Sequence, residues 1–325
     1  LDYYRAQPEV AYAEPNYRIR LFATPNDPRR ASLWNLDRIG APQAWDQTTG
    51  DPAVVVAIID TGLDVQHADI AANVWTNPGE IPGNNLDDDH NGYVDDVHGL
   101  STFDGTGDVM DDAGHGTHVA GTIGGAGNNG LGVTGINWRA TLLPVKIFTA
   151  DDSTGTAGAV EAYEYLIALK QRGVNIRVVN NSWGGPVPSQ ALNDAIGAAE
   201  AAGILSVCAA GNSQHNTDDR PEFPANFDCA SLISVAASTR EDELASFSNY
   251  GALTADLAAP GESILSTYRG AEHYRRLSGT SMACPHVAGA AALLLAKNNS
   301  LTPAALKALL LATVDLVPQC QGRTR

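Results

Sequence analysis

Three short segments, far apart along the chain, carry a hydroxyl, an imidazole and a carboxylate among small residues. They are Gly279-Thr280-Ser281-Met282-Ala283, His115-Gly116-Thr117-His118-Val119-Ala120-Gly121 and Asp60-Thr61-Gly62. A fourth, Ala209-Ala210-Gly211-Asn212-Ser213, adds a side-chain amide. A serine hydroxyl becomes a nucleophile when a base takes its proton. The base works best when a carboxylate fixes its tautomer, and a placed N–H donor must meet the negative charge that develops on the attacked carbonyl. Ser281, His115, Asp60 and Asn212 supply one of each, the set that acyl transfer needs. Singly, each has a plainer explanation: an N-cap serine, a core histidine, an Asp-Thr-Gly turn, a loop asparagine. Their combination carries the argument. A metal pair at His115 and His118 lacks an acidic third ligand on the same helix, so His118 is assigned to structure.

Such residues act together only if the fold gathers them. Val54–Ile59 is a continuous apolar and β-branched run ending at Asp60, the signature of a buried parallel strand. Leu142–Phe148, Ile176–Val179, Ile204–Ala209 and Leu232–Ala236 read alike, with helical stretches at His118–Gly125, Ala157–Lys170 and Gln190–Ala202. This alternation predicts an α/β, doubly wound, mostly parallel central sheet with helices on both faces. Ser281 opens a helix of small apolar residues reaching Lys297; Pro285 is tolerated in its first turn, where amides have no helical acceptor. The positive end of that helix favours negative charge beside Ser281. Open α/β sheets place sites at the carboxyl ends of their strands. Ser281, His115 and Asp60 are therefore expected within hydrogen-bonding reach at one rim. The order Asp, His, Ser differs from the Ser, Asp, His order of α/β-hydrolases, and Ala283 stands where their elbow has glycine.

The 325-residue chain has a net charge of −17, which disfavours nucleic acid as a partner and repels anionic membranes. No apolar run approaches the roughly 18 residues of a membrane span. Cys208, Cys229, Cys284 and Cys320 form no CxxC pair; they allow three disulfide pairings or remain buried thiols. The opening Leu-Asp-Tyr-Tyr is not a leader, so the chain reads as a fragment or a processed form.

Residues 76–112 break the strand–helix rhythm with a loop rich in carboxylates, a length that usually signals function or a bound ion. Within it, Asp87, Asp89 and Asn91 fall at positions 1, 3 and 5 of an EF-hand loop, with Gly92 at 6, the Tyr93 carbonyl at 7 and Asp95 at 9. His98 replaces the glutamate of position 12, so another carboxylate, such as Asp96, must close the shell. The expectation is a Ca²⁺ site, set against a solvated acidic loop.

Asp60-Thr61-Gly62, His115–Gly121, Asn180-Asn181-Ser182-Trp183-Gly184, Ala209–Ser213 and Gly279–Gly289 together resemble the subtilisin-like serine proteases, the subtilases. That resemblance spans residues 33 to 313. It implies a secreted endopeptidase in which Ser281 attacks, His115 shuttles the proton, Asp60 orients His115, and Asn212 with the Ser281 amide receives the oxyanion. It implies that a peptide strand pairs with Ser182, Trp183 and Gly184 on one side and with the stretch ending at Gly155 on the other. Glu222, before Phe223-Pro224-Ala225, would floor the S1 pocket and favour Lys or Arg at P1. A second structural calcium would be held by Asp69, the Asn129 side chain and the carbonyls of Gly127, Leu131 and Val133. Residues 1–24 resemble the end of an inhibitory propeptide, hence a zymogen remnant and linker ahead of a peptidase domain over residues 25–325. That domain stops at Arg325 where a further strand and helix would follow in the family, so it is read as truncated. The expected partners are protein or peptide substrates and the propeptide itself, with the enzyme a monomer. The competing reading is a catalytically silent subtilase-like scaffold that binds peptides; an esterase is a third.

Overall fold

The computed structural model describes residues 1–17, 23–151 and 155–325. Its elements in chain order are α1 (Asp2–Arg5), α2 (Trp34–Arg38), α3 (Ala41–Trp45), β1 (Val55–Asp60), β2 (Leu100–Ser101), α4 (His115–Gly124), β3 (Thr141–Lys146), α5 (Thr156–Gln171), β4 (Ile176–Asn181) and α6 (Gln190–Ala201). There follow β5 (Leu205–Ala209), β6 (Ile233–Ser238), β7 (Leu257–Pro260), the hairpin β8 (Ile264–Thr267) and β9 (Tyr274–Leu277), then α7 (Thr280–Lys297) and α8 (Pro303–Ala312).

Seven strands form one parallel sheet in the order β2-β3-β1-β4-β5-β6-β7, as the alternation of strands and helices predicts. β1 lies inside it, paired with β3 and β4, and all six of its residues are buried. Successive side chains on a strand face opposite ways, so β1 feeds two cores. Val54, Val56 and Ile58 pack with Val119 and Ile123 of α4 and with Ala283, Val287 and Ala291 of α7. Val55, Ala57 and Ile59 pack with Tyr163 and Leu166 of α5 and Ile196 of α6. Each helix pair is thereby fixed to one face of the sheet.

The expected strands and helices are present with boundaries moved by at most three residues. α4 starts at His115 rather than at His118. Close approach explains why glycines stand where β1 meets α4. A Cβ on Gly116 would lie 2.1 Å from the Gly62 carbonyl oxygen, and Gly62 itself has φ +99°. All four cysteines are free thiols, with Cys208, Cys284 and Cys320 buried.

Candidate active site

Asp60 ends β1 and is 1% exposed. Its Oδ1 accepts from the Thr61 amide at 2.7 Å and pairs with His115 Nδ1 at 2.7 Å. A carboxylate against Nδ1 makes that nitrogen the N–H donor, leaving Nε2 of the neutral ring with its lone pair free. His115 is the first residue of α4, and its side chain remains 34% exposed, open to the cleft. Burial disfavours the charged ring, yet the charge and hydrogen bond of Asp60, with Asp111 behind them, hold the His115 pKa above the ordinary histidine value. His118, three residues on, is buried with Nε2 donating to the carbonyls of Ile264 and Arg275. Burial pushes its pKa down to about 4, so it stays neutral and ties α4 to the β8–β9 hairpin, the structural part assigned to it.

Ser281 is the second residue of α7. Its hydroxyl does not donate to His115. It donates to the Ser182 carbonyl at 2.8 Å, while the Ser182 hydroxyl donates back to the Ser281 carbonyl at 2.9 Å. The expected meeting of three side chains is thus made between Asp60 and His115, and the third is turned to a carbonyl just past β4 that presents an acceptor to it. Asn212 follows β5. Its Oδ1 accepts from the Thr280 amide at 2.8 Å and from the Thr280 hydroxyl, which fixes the amide plane and leaves Nδ2 without a partner among the described residues. A methyl built on Gly279 would sit 3.6 Å from both Asn212 Nδ2 and the Ser281 amide nitrogen, so the two donors flank one spot.

Ser182, Trp183 and Gly184 continue past β4. Trp183 Nε1 donates to the Ile59 carbonyl at 3.0 Å, and Gly185 exchanges two backbone hydrogen bonds with Phe223. This brings Glu222 beside both rims: its Cγ lies 3.4 Å from a Cβ built on Gly184 and 3.2 Å from one on Gly211. Burial raises the Glu222 pKa against the opposing charge of His215, and the carboxylate makes no hydrogen bond or ion pair among the described residues. Gly155 is exposed at the start of α5; the expected pairing stretch ahead of it falls on residues 152–154, outside the described ones.

The acidic loop brings Glu80, Asp87 and Asp89 together, with ligand oxygens within 4.8 Å of one another. Glu80 is 7% exposed; its Oε1 accepts the amides of Asp88 and Asp89, and its Oε2 is buried without a partner. Other expected ligands are engaged within the loop. Asp95 accepts from the amides of Gly83 and Asn85, and Asn91 Oδ1 accepts from the Tyr93 amide. Asp96 is buried under Asn77, Asn91 and Tyr165, so Glu80 is the carboxylate that joins Asp87 and Asp89. The EF-hand spacing did not reveal Glu80, which precedes the motif.

At the second locus, Asp69 accepts from Asn129 Nδ2 and from the Val133 amide, both at 2.8 Å. The segment from Gly127 to Val133, with Leu131 exposed, is tied to it through Asn129 and Val133. A second carboxylate there, Asp27, is 3% exposed and accepts the amides of Asn128 and Asn129. Burial, with Asp69 nearby, raises the Asp27 pKa against those donors. Sequence spacing offered no sign of Asp27, which lies more than a hundred residues away from the loop it meets.

Comparison with known proteins agrees with this geometry. Residues 51–323 match the model of the Subtilase family. Subtilisin Savinase of Lederbergia lenta is 38% identical over 268 residues, covering 82% of this chain and 85% of that one. The extracellular protease of Xanthomonas campestris is 34% identical over 345 residues, covering 98% of this chain and 57% of that one. The crystal structure of a cold adapted subtilisin-like serine proteinase superposes with a TM-score of 0.70 at 30% identity, covering 90% of this chain and 96% of that one. With a parallel sheet that sets a carboxylate–imidazole pair at its rim, the chain belongs to the subtilase family and is a serine endopeptidase.

Proposed function

We propose that Ser281 is the nucleophile, His115 the general base and then acid, Asp60 its orienting carboxylate, and that Asn212 Nδ2 with the Ser281 amide receives the oxyanion. The observation that carries this is the Asp60–His115 hydrogen bond, which leaves Nε2 as a proton acceptor facing the cleft. An extended substrate strand docks on Ser182, Trp183 and Gly184, with Gly155 on its far side. Its N–H competes for the Ser182 carbonyl and frees the Ser281 hydroxyl to turn toward Nε2. Attack forms the tetrahedral intermediate, His115 passes the proton to the leaving amine, and water repeats the cycle on the acyl-enzyme. Ser281→Ala is expected to lower kcat on casein by about 10⁶-fold with the fold intact. Casein hydrolysis at wild-type rate by that variant would end the assignment.

Glu222 is assigned to P1 selectivity, its unpaired carboxylate facing a Lys or Arg side chain. Calcium is assigned to two loci. Glu80, Asp87 and Asp89 would hold one ion, with the buried, unpartnered Glu80 oxygen as support; Asn91, Tyr93 and Asp95 border it. Asp69 and Asn129, with carbonyls of Gly127, Leu131 and Val133, would hold the other, and Asp27 adds charge. Bound there, calcium neutralises clustered carboxylates and fixes the loops. Export fits the name of the Xanthomonas relative. Residues 1–24 are assigned to a propeptide remnant, supported by the lack of any buried residue in 1–17, and the domain over 25–325 to a monomer that binds it.

A further inference from the structure

Asp111 is a second carboxylate at the site and takes no part in the scheme above. It is 4% exposed and lies four residues ahead of His115. Its Oδ1 accepts from the amides of Ala113 at 3.0 Å and Gly114 at 2.7 Å, and from the Thr61 hydroxyl at 2.9 Å. Its Oδ2 accepts from the Thr117 amide at 2.9 Å and the Thr117 hydroxyl at 2.6 Å. The residue at the N-cap of α4, Gly114, has no side chain to cap with, so Asp111 does this from outside the helix. Thr61, adjacent to Asp60, completes the joint: its hydroxyl accepts the Gly116 amide at 2.9 Å and donates to Asp111. Thr117 reaches back in the same way, its hydroxyl accepting the Asp64 amide at 3.0 Å. One buried carboxylate therefore bolts the end of β1 to the first turn of α4.

We propose that Asp111 is a positioning residue that holds His115 in line with Asp60, and that its negative charge also favours the imidazolium formed during acyl transfer. The proposal rests on the role of His115 given above. Other charged or titratable groups around His115 do not replace it. Asp60 holds Nδ1, and His118 is neutral. Lys146 of β3 is taken up by the Thr61 carbonyl and Asp112, both at 2.8 Å. From the hairpin, the Tyr268 hydroxyl donates to the Ala113 carbonyl and accepts from Arg275. Burial opposes charging of His115, and Asp111 adds to Asp60 in overcoming it. Loss of the Asp111 charge therefore lowers the His115 pKa.

The test compares Asp111→Asn, Thr61→Val and Thr61→Ser with the wild-type chain on a peptide substrate. Asparagine keeps the shape but removes the charge and sets an NH₂ against one group of donors. Asp111→Asn is expected to lower kcat by about 10- to 100-fold, leave KM within about twofold, and move the acidic limb of kcat/KM to lower pH. Thr61→Val should lower kcat at unchanged KM without moving that limb, and Thr61→Ser should restore it. A wild-type kcat and limb in Asp111→Asn overturns the proposal. Should Asp111→Asn not fold, the Thr61 pair decides, and a wild-type kcat in Thr61→Val overturns the proposal. Ser281→Ala run alongside separates the causes: activity retained there removes the site assignment itself, whereas activity lost there with a wild-type Asp111→Asn removes only the role of Asp111.

Discussion

The selectivity proposed for Glu222 rests on a single side chain. It stands between the two glycine-bearing segments that border the cleft, half-buried, with no ion pair among the described residues. Desolvation raises its pKa, because the ionised form has lost water and gained no partner. A Lys or Arg side chain entering at P1 would supply that partner in a medium of lower dielectric, where an ion pair is stronger than at an exposed surface. Peptides with P1 Lys or Arg should exceed matched P1 Phe or Leu peptides in kcat/KM by about tenfold, and Glu222→Gln should erase the difference. Because burial raises the Glu222 pKa, the preference should fade on acidification earlier than an ordinary glutamate would allow. A preference for Phe or Leu in the wild-type enzyme would contradict this reading. The hydroxyl direction of Ser281 belongs to the same scale. It depends on the Ser182 carbonyl just past β4, information that no local motif around residue 281 contains.

At the scale of elements, legibility followed the length and chemistry of each run. β1, β3, β4, β5 and β6 are strands of five or six residues built around apolar or β-branched side chains and were readable. β2 has two residues, and β9 sets two exposed arginines between the half-buried Tyr274 and Leu277, so neither shows a strand pattern. The catalytic candidates were readable because each sits where a strand ends or a helix begins, next to glycines that close packing requires. Glu80 and Asp27 were not, since each joins its carboxylate partners through loop folding rather than periodic spacing. The acidic loop should therefore depend on an ion in place of a core. Calcium at about 100 times its Kd would add roughly 2.7 kcal/mol of stability. Excess EDTA should then lower Tm by roughly 4 °C, and Glu80→Gln should shrink that drop. An identical melting curve with and without chelator would remove the structural role of calcium.

For the whole molecule, acid is the sharper stress, and two buried histidines give the reason. His118 and His286 are both held near pKa 4 by burial, His286 with Nδ1 on the Met282 carbonyl and Nε2 on Asn35. An unfolded histidine protonates near 6.5, so between that value and about 4 the unfolded chain binds two protons that the folded chain refuses. Stability is full above pH 6.5 and falls as pH drops through this window, by roughly 3 kcal/mol for each histidine. His115 works in the opposite sense: its raised pKa contributes at low pH and is lost on raising the pH through the folded-state value. In a Ser281→Ala background, which avoids self-digestion, the urea midpoint should fall between about pH 7 and about pH 4.5, and His286→Gln should flatten that fall. A midpoint independent of pH over this range would contradict the account. The fold exists to gather groups from β1, α4, β5 and α7, and that convergence is tested most directly by labelling with a fluorophosphonate and mapping the adduct by peptide mass spectrometry. The account predicts one adduct, on the peptide containing Ser281, absent from Ser281→Ala and greatly slowed in His115→Ala. An adduct on another residue, or none in a chain that still hydrolyses casein, would contradict it.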